Sequence, residues 1–406
     1  MLSSLCSFAT RVGFNLYSAI INRQFFFMSN SWIELDLGIL RTNLRDLKSA
    51  IKSSTEIIFV VKSNAYGHGI VPVSQCAWEC GVKWFAVANI NEALILREIM
   101  PDAGIIIVGV MDQTAVAQAI GNNIVPFIIS EKHATDLAAT AAALKAIIRC
   151  HAKIDTGMGR LGFPWEEAPA LLPKLARLPG LDICGFCTHF ASANNQDRSY
   201  AHKQAERFNT VIRLCEEKGL SVPFKHISNS GAVLCNRAWN MDGIRPGILL
   251  YGYGKQYSAI GIHNSALNDC VEIQTKPFLQ WKTRIVQIRK VPAGFAVSYD
   301  STYTTSKETR IGVIDVGYAD GYSRKLSNLG FVIAGGQRCP VVGRITMNLT
   351  MIDLGMASTT SEGDEVVLIG SQGSASVWAD EIAHWCETIP YEILTGIRTI
   401  NTPITT

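Results

Sequence analysis

The chain has 406 residues, which is enough for one large domain or two of ordinary size. Hydrophobic residues make up 48% of it and charged residues 17%, a balance that allows a large core and excludes a disordered chain. The formal net charge of +3 is too small to indicate a nucleic acid or a membrane surface as a partner. No apolar run approaches the roughly 20 residues that a membrane-spanning helix needs.

The 11 cysteines are odd in number and scattered along the chain, which indicates reduced thiols in a cytoplasmic protein. Cys76 and Cys80 lie on a predicted helix. Cys184 and Cys187 lie in an apolar run, where a spacing of three along a strand places side chains on opposite faces. Neither pair is accompanied by a second pair at zinc-finger spacing, so we expect no metal site.

Residues 1–27 contain Arg11, Arg23, several serines and no acidic residue, a composition loosely like that of an organellar transit segment. Met28 directly precedes Ser29–Asp36, where the pattern of a folded protein begins. We therefore interpret Met28 as the start of the protein and leave 1–27 out of the fold prediction. Residues 28–38 are predicted to form an N-terminal strand that joins the C-terminal domain.

Between residues 57 and 250, short apolar runs alternate with stretches long enough for a helix. The predicted strands are Ile57–Val61, Trp84–Ala88, Gly104–Val110, Ile124–Ile129, Ile147–Ile154, Ile183–Thr188, Lys225–Ile227 and Gly243–Leu250. The predicted helices include Asn91–Met100, Glu131–Leu144, Trp165–Leu178 and Gln196–Lys218. This alternation indicates a parallel sheet, and the number of strands favours a (β/α)8 TIM-type barrel over residues 39–268. An open doubly wound sheet would give a similar pattern.

After about residue 270 the pattern changes to short strands separated by Gly, Asn and Asp turns, which predicts a mostly β C-terminal domain over 269–406. The boundary is predicted within Asn264–Cys270. The segment Phe278–Val291 is interpreted as a strand pair. The other predicted elements are the strands Ile311–Val316, Phe331–Ala334, Cys339–Val342, Met351–Leu354 and Glu365–Ile369 and the helix Ala379–Cys386.

Polar residues collect where the predicted barrel strands end, which is where barrel enzymes place their chemistry. Lys62 follows the apolar run Ile57–Val61, and burial there would lower its pKa and make the amine a nucleophile for Schiff-base chemistry. Each polar segment alone could be a solvated turn, but five on one rim favour a site. The other four segments are Lys153–Arg160, Thr188–His189, Ser228–Gly231 and Arg245–Ile248.

Two of these segments suggest a phosphate site, because barrels often bind phosphate at the loops after strands seven and eight. Ser230 offers a hydroxyl next to a glycine, and Gly247 and Ile248 offer backbone N–H groups suited to an anion.

From Ile33 to Ile397 the chain resembles the alanine racemases, which depend on pyridoxal 5'-phosphate (PLP). The resemblance is carried by nine motifs in the order found in that family: VVKSNAYGHG, KIDTGMGRLGF, THFASAN, SNSGAV, IRPGILLYG, VSYDSTY, GYADGY, GRITMN and PYEIL. It implies a cytoplasmic head-to-tail homodimer that racemises alanine and supplies D-alanine for cell-wall peptidoglycan.

The resemblance implies two catalytic bases, since racemisation removes and returns a proton on opposite sides of one carbon. Lys62 would hold PLP covalently and serve one face, and Tyr299 of the partner subunit would serve the other. Arg245 would contact the pyridine nitrogen of PLP, where an arginine gives a weaker electron sink than a carboxylate would.

The remaining residues are assigned by the same resemblance. Those implied to bind or shape the site of the phosphate are Tyr66, Asn229, Ser230, Gly247, Ile248 and Tyr391. His189 would approach the ring and contact Arg245. Arg160 and the backbone N–H of Met347 would position the substrate carboxylate, and Lys153, a residue carbamylated in many family members, would steady Arg160. Tyr318 and Asn348 would have supporting roles.

Three departures from the family pattern bear on the substrate. Asn348 replaces a common Asp, Asn194 replaces a frequent acidic residue, and Asp300 replaces the usual Gly after Tyr299. They keep a serine or broad-specificity amino-acid racemase open as the alternative to an alanine racemase.

Two further classes remain. A single-domain barrel protein that binds PLP without racemase activity would lack the β domain with Tyr299. A group IV decarboxylase would carry a glutamate at the pyridine nitrogen, where this chain has Arg245. Both features favour the racemase.

Overall fold

The computed structural model describes residues 31–254, 273–399 and 404–405. The predictions made for residues 1–27 and for a boundary between 268 and 269 lie outside these described residues. The chain divides into two compact units. One unit is Asp36–Phe278, and the other combines the N-terminal strand β1 (Trp32–Leu35) with residues 279–405.

The first unit is a closed barrel of eight parallel strands, which confirms the predicted (β/α)8 fold. The strands are β2 (Glu56–Val60), β3 (Trp84–Val87), β4 (Gly104–Ile107), β5 (Ile124–Ile128), β6 (Ile148–Asp155), β7 (Leu181–Cys187), β8 (Phe224–Asn229) and β9 (Gly243–Arg245). Each pairs with the next in sequence, and β9 pairs with β2. This closure excludes the open doubly wound sheet, which would leave two free edges.

Helices connect the barrel strands and explain why the strands are apolar along most of their length: both faces of the sheet are covered. The helices are α1 (Leu37–Ala50), α2 (Ile70–Glu79), α3 (Ile90–Ile99), α4 (Val116–Gly121), α5 (Glu131–Ala143), α6 (Ala168–Leu175), α7 (Ser199–Glu217) and α8 (Ser230–Cys235). Side-chain oxygens of Asp36, Asn89 and Ser130 accept backbone N–H bonds and fix the starts of α1, α3 and α5.

The prediction of a strand over Gly243–Leu250 was wrong beyond Arg245. Pro246 has no N–H to donate to the sheet, and the chain then forms a helical turn in which the N–H of Leu250 bonds the carbonyl of Gly247 at 2.9 Å. Gly247 and Ile248 therefore lie in a turn at the end of β9 rather than within the strand.

The second unit is mostly β, as predicted. Its main elements are β10 (Leu279–Val291), β11 (Thr309–Ile314), β12 (Phe331–Ala334), β13 (Gln337–Pro340), β14 (Thr350–Asp353), β15 (Glu365–Gln372), β16 (Ala375–Val377), α9 (Ala379–Trp385) and α10 (Pro390–Gly396). Strand β1 pairs with β10, so the N-terminal strand is part of this sheet.

The prediction of a strand pair over Phe278–Val291 was wrong, because β10 is one strand of 13 residues. Its first part pairs with β1 and β15, and its second part pairs with β11. The mixed polarity that suggested two strands comes from this change of partner: Leu279–Thr283 is largely buried, whereas Val286–Lys290 are exposed except for the half-buried Ile288.

Among the helices within the described residues, none has both the length and the apolar character that crossing a membrane requires.

Candidate active site

Lys62 follows β2 directly after Val61, at the C-terminal rim of the barrel, and is partly buried. Burial is the main cause that lowers the pKa of its amine, and the positive charge of Arg160 lowers it further. The carboxylate of Glu92 opposes this shift. A lysine with a lowered pKa holds more of its amine in the neutral, nucleophilic form.

The chain leaves Lys62 in a left-handed turn. Ser63, Asn64, Ala65 and Tyr66 all have φ between 52° and 54°, a region that L-residues seldom occupy consecutively. Gly67 follows at φ 81° and its N–H bonds the carbonyl of Ser63 at 3.1 Å. The turn places the buried Tyr66 four residues beyond the lysine on the same rim.

Ser230, Gly247 and Tyr66 form a small polar cradle at the ends of β8, β9 and β2. The hydroxyl of Ser230 accepts the N–H of Gly247 at 2.9 Å and that of Leu249 at 3.3 Å. A Cβ atom at position 247 would lie 2.6 Å from the Tyr66 hydroxyl, so only glycine leaves this space open. Hydroxyls and backbone N–H groups around a space without a side chain suit a phosphate.

Asn229 precedes Ser230 and fixes the start of α8. Its side chain accepts the N–H of Ala232 at 3.1 Å and donates to the carbonyl of Phe190 at 3.3 Å. Asn194 packs against the same place, since a Cβ on Gly231 would lie 3.1 Å from the Asn194 Cβ. The predicted Asn229–Ser230 segment is therefore rigidly positioned beside the cradle.

Arg245 is a buried cation at the end of β9, with 6% of its surface exposed. Its guanidinium donates to the carbonyls of His226 and Ile227, each at 2.9 Å, and approaches Nδ1 of His189 at 3.4 Å. Burial lowers its pKa from the ordinary value, opposed by Cys187. The guanidinium is held in one position by backbone acceptors.

His226 and His151 continue this network into the barrel interior. A guanidinium can only donate hydrogen bonds, so Nδ1 of His226 must accept the bond from Arg245. Nε2 of His226 therefore carries the proton and donates to Nδ1 of His151 at 2.9 Å. Burial lowers the pKa of His151 to about 3 and holds that of His226 well below its usual range. Both imidazoles are thus neutral and keep these tautomers at neutral pH.

The loop after β6 carries Arg160, which is exposed. The Asp155 carboxylate accepts the N–H groups of Gly157, Met158 and Gly159 at 2.8–3.2 Å and folds the loop around itself. Lys153 lies buried in β6, and its pKa is lowered, first by burial.

The charges that act on His189 indicate that the four predicted cations lie at the same rim of the barrel. Burial, followed by the positive charges of Arg245, Lys153, Arg160 and Lys62, holds its pKa well below the ordinary value. The positive charges of four side chains therefore act on one neutral imidazole at this rim, where the carboxylates of Glu92 and Asp155 oppose part of their effect. Such a rim, with a lysine of lowered pKa and a phosphate cradle, fits a cofactor that carries both an aldehyde and a phosphate.

The other predicted site residues lie in the β-rich unit. Tyr299 is 69% exposed and follows Ser298, whose φ of 64° and ψ of −170° are strained for any residue but glycine. Asp300 is also left-handed at φ 61° and pairs with Arg344 at 3.6 Å, while the Ser298 hydroxyl donates to the Arg344 carbonyl at 2.7 Å. The loop that presents the tyrosine is strained and held by Arg344.

Tyr318 and Met347 are also exposed, at 44% and 56%. Their segments are joined by two backbone bonds, Tyr318 N–H to the Thr346 carbonyl at 3.1 Å and Ala319 N–H to the Met347 carbonyl at 2.9 Å. Asn348 is exposed next to Met347, and Tyr391 is the second residue of α10.

The sequence reasoning did not single out His151, His226, Asp155 or Glu92 as site residues. Asp155 lies within the strand-end segment Lys153–Arg160, so its position could have identified it, whereas His226 lies inside the predicted strand Lys225–Ile227. His151 and Glu92 carried no such signal. In the described parts of the chain, no group of three or more His, Cys, Asp or Glu side chains is arranged to hold a metal ion.

The fold and the residues at the rim together define a class of protein. It is a barrel enzyme in which a lysine at a strand end binds an anionic cofactor that has a carbonyl group. Family models for the alanine racemase N-terminal and C-terminal domains match residues 35–255 and 278–403. The alanine racemase of Halothermothrix orenii is 38% identical over 367 residues, 90% of this chain and 94% of that protein. The alanine racemase of Syntrophobacter fumaroxidans is 40% identical over 370 residues, 91% of this chain and 96% of that protein.

Solved structures agree. The alanine racemase from Bacillus anthracis with bound L-Ala-P has a TM-score of 0.82 at 33% identity, covering 91% of this chain and 93% of that one. The alanine racemase from Bartonella henselae with covalently bound pyridoxal phosphate has a TM-score of 0.80 at 26% identity, covering 93% and 100%. The chain belongs to the alanine racemase family.

Proposed function

We propose that this protein interconverts L-alanine and D-alanine with PLP as its cofactor and supplies D-alanine for peptidoglycan. The observation that carries the proposal is the position of Lys62: a partly buried amine of lowered pKa, on one rim with the Ser230–Gly247–Tyr66 cradle and three further cations.

Lys62 would bind PLP covalently, and the hydroxyls of Tyr66 and Ser230 and the backbone of Gly247 and Ile248 would hold its phosphate. Asn229 keeps that loop in place, and Tyr391 adds a hydroxyl. Arg245 would face the pyridine nitrogen with a positive charge, which would disfavour protonation of that nitrogen. When bound, PLP withdraws electrons from the α-carbon of the substrate and so makes its proton acidic.

Two groups of this chain move that proton. Lys62 takes or returns it on one face of the α-carbon and Tyr299 on the other, which is what inversion at carbon requires. The lowered pKa of Lys62 increases the unprotonated fraction of its amine relative to an ordinary lysine.

Arg160 and the backbone N–H of Met347 orient the substrate by its carboxylate. Lys153 would steady Arg160 from β6, and His189, whose Nδ1 lies 3.4 Å from the guanidinium of Arg245, would lie against the cofactor ring. Tyr318 and Asn348 support the Met347 segment. This arrangement fixes the α-carbon between the two proton-transfer groups.

The working form is a head-to-tail homodimer in which Tyr299 acts in the site of the partner subunit. Exposure of Tyr299, Tyr318 and Met347 on the β-rich unit supports this proposal, because large apolar and aromatic side chains exposed together are typical of interfaces. We place the reaction in the cytoplasm, which agrees with the free state of the nine cysteines in the described residues.

The test is chiral chromatography after incubation of the full chain and PLP with L-alanine, L-serine and L-lysine in separate reactions. Rapid formation of D-alanine with little other product supports the proposal. Bound PLP with no racemised product would overturn it in favour of a non-racemase PLP protein or a decarboxylase. The variant Lys62→Ala serves as the inactive control.

Serine racemisation is the second candidate. The observation that favours it is the carboxylate of Asp300 beside Tyr299, which pairs with Arg344 at 3.6 Å. The usual glycine at this position would not supply a carboxylate. Conversion of L-serine as fast as L-alanine in the same experiment would select it.

A further inference from the structure

Glu92 lies in the first turn of α3 and joins the ends of two neighbouring barrel strands. Its Oε1 accepts the backbone N–H of Asn64 at 3.1 Å, and its Oε2 accepts the N–H of Ala88 at 2.8 Å. Ala88 follows β3, and Asn64 lies two residues after Lys62, which follows β2. Both carboxylate oxygens are therefore used to hold backbone at the rim.

The backbone that Glu92 holds is the left-handed turn from Ser63 to Tyr66. Four consecutive residues other than glycine in this region are disfavoured, so other interactions must stabilise the turn. Asn64 is held from two directions: Glu92 accepts its N–H, and its own side chain accepts the N–H of Ile70 at 2.9 Å, at the start of α2.

We propose that Glu92 is a positioning residue for Lys62, and that its carboxylate holds the turn so that the Lys62 amine and the Tyr66 hydroxyl face the same molecule of PLP. This inference rests on the proposed function. Without the carboxylate, the turn loses its hydrogen-bonded connection to the end of β3. The distance and orientation between the Lys62 amine and the Tyr66 hydroxyl are then no longer fixed.

The charge of Glu92 supports the same role. It raises the pKa of Lys62 against burial and the charge of Arg160, so it moderates how far the amine is shifted. Losing the negative charge would lower that pKa further, whereas a purely structural side chain would leave it unchanged.

The experiment compares Glu92→Gln with Glu98→Gln, which removes the same charge from an exposed position on the same helix. Glutamine has one acceptor oxygen, so E92Q loses at least one of the two backbone bonds. PLP affinity is measured by absorbance titration of the apoprotein. We expect E92Q to weaken it by about tenfold or more, the effect of losing one hydrogen bond to a charged acceptor, and E98Q to match the wild type.

A second measurement is the rate at which the apoprotein binds PLP as a function of pH, whose midpoint reports the free amine of Lys62. In E92Q this midpoint moves to lower pH, and in E98Q it stays at the wild-type value. Wild-type PLP affinity and midpoint in E92Q would overturn the inference, as would a lower melting temperature with unchanged PLP affinity.

If E92Q does not fold, Glu92→Asp provides the test, because it keeps the charge and shortens the reach. Weaker PLP binding with a nearly unchanged midpoint supports the inference, and wild-type affinity overturns it. Failure of the proposed function is distinguishable, since then the wild-type protein itself would not bind PLP or racemise alanine.

Discussion

The hydroxyl oxygen of Ser230 lies 2.9 Å from the backbone nitrogen of Gly247 and accepts its hydrogen bond. Ser230 follows β8 and Gly247 lies just beyond β9, so this bond connects the C-terminal ends of two neighbouring strands. Tyr66, beyond β2, bounds the space at Gly247. Three consecutive strands of the closed barrel thus contribute to one cradle.

We predict that Gly247→Ala weakens PLP binding by about tenfold or more, a loss near 1.4 kcal/mol. The added Cβ would lie 2.6 Å from the Tyr66 hydroxyl and displace it from the cradle. Absorbance titration of the apoprotein measures the effect. Gly121→Ala is the control, because a Cβ there meets no heavy atom within 4 Å. Equal PLP affinity in the two variants would contradict the assignment of the cradle.

We predict that Arg160→Met shifts the pH dependence of PLP binding to higher pH. The charge of Arg160 lowers the pKa of Lys62, so its removal raises that pKa and more alkaline conditions are needed to free the amine. The rate at which the apoprotein binds PLP, measured against pH, reports the midpoint. Arg160→Lys retains the charge and should keep the wild-type midpoint; a shift of equal size in both variants would rule out the electrostatic cause.

We predict that His68 makes the fold less stable in acid. Its ring packs between Tyr251 and Phe278, with centroids 4.7 Å from each, and burial lowers its pKa from 6.5 to about 3. Between these values the unfolded chain binds a proton at His68 that the folded chain does not bind. The free energy of unfolding is therefore undiminished by His68 above pH 6.5 and decreases as the pH falls toward 3.

Replacing His68 by Leu should reduce the pH dependence of the free energy of unfolding in that window by up to about 1.4 kcal/mol per pH unit. Denaturant unfolding at several pH values measures this slope. His384→Gln, at an exposed position, is the matched control and should leave the slope unchanged. A slope in His68→Leu that equals the wild type would show that His68 does not contribute.

We predict that Lys62→Ala and Tyr299→Phe, each inactive alone, recover activity when mixed and refolded together. If Tyr299 serves the partner subunit, one of the two sites in each mixed dimer has both groups, which gives about a quarter of wild-type activity at random pairing. If Tyr299 served its own subunit, mixed dimers would have no complete site. Absence of recovery despite mixed dimers would therefore contradict the head-to-tail arrangement.

The sequence identified the elements that depend on local pattern. The apolar runs from Ile57 to Ile154 predicted strands because a parallel sheet covered on both faces needs continuous apolar segments. Lys62 could be selected because it directly follows such a run, and Ser230 because it lies in the polar segment after the strand predicted over Lys225–Ile227. Barrel strands present their C-terminal ends on one rim.

Where an element changes partners, the sequence was a poorer guide. The 13-residue strand β10 was mistaken for two strands, since burial along it depends on β1 and β15 at one end and β11 at the other. Likewise, the apolar residues after Arg245 suggested a longer strand, although the Pro246 carbonyl makes the last bond to β2, from the Val60 N–H at 3.0 Å, and the chain then turns.

By itself, the sequence determined the alternation of strands and helices, the lysine at a strand end and the order of the motifs. Only the tertiary structure decided that Glu92 reaches Asn64, that Arg245 fixes the tautomers of His226 and His151, and that four cations act on His189. The physical reason is that hydrogen bonds and pKa shifts depend on distances between side chains and on burial. Closure of the barrel sets both by bringing residues far apart in the chain onto one rim.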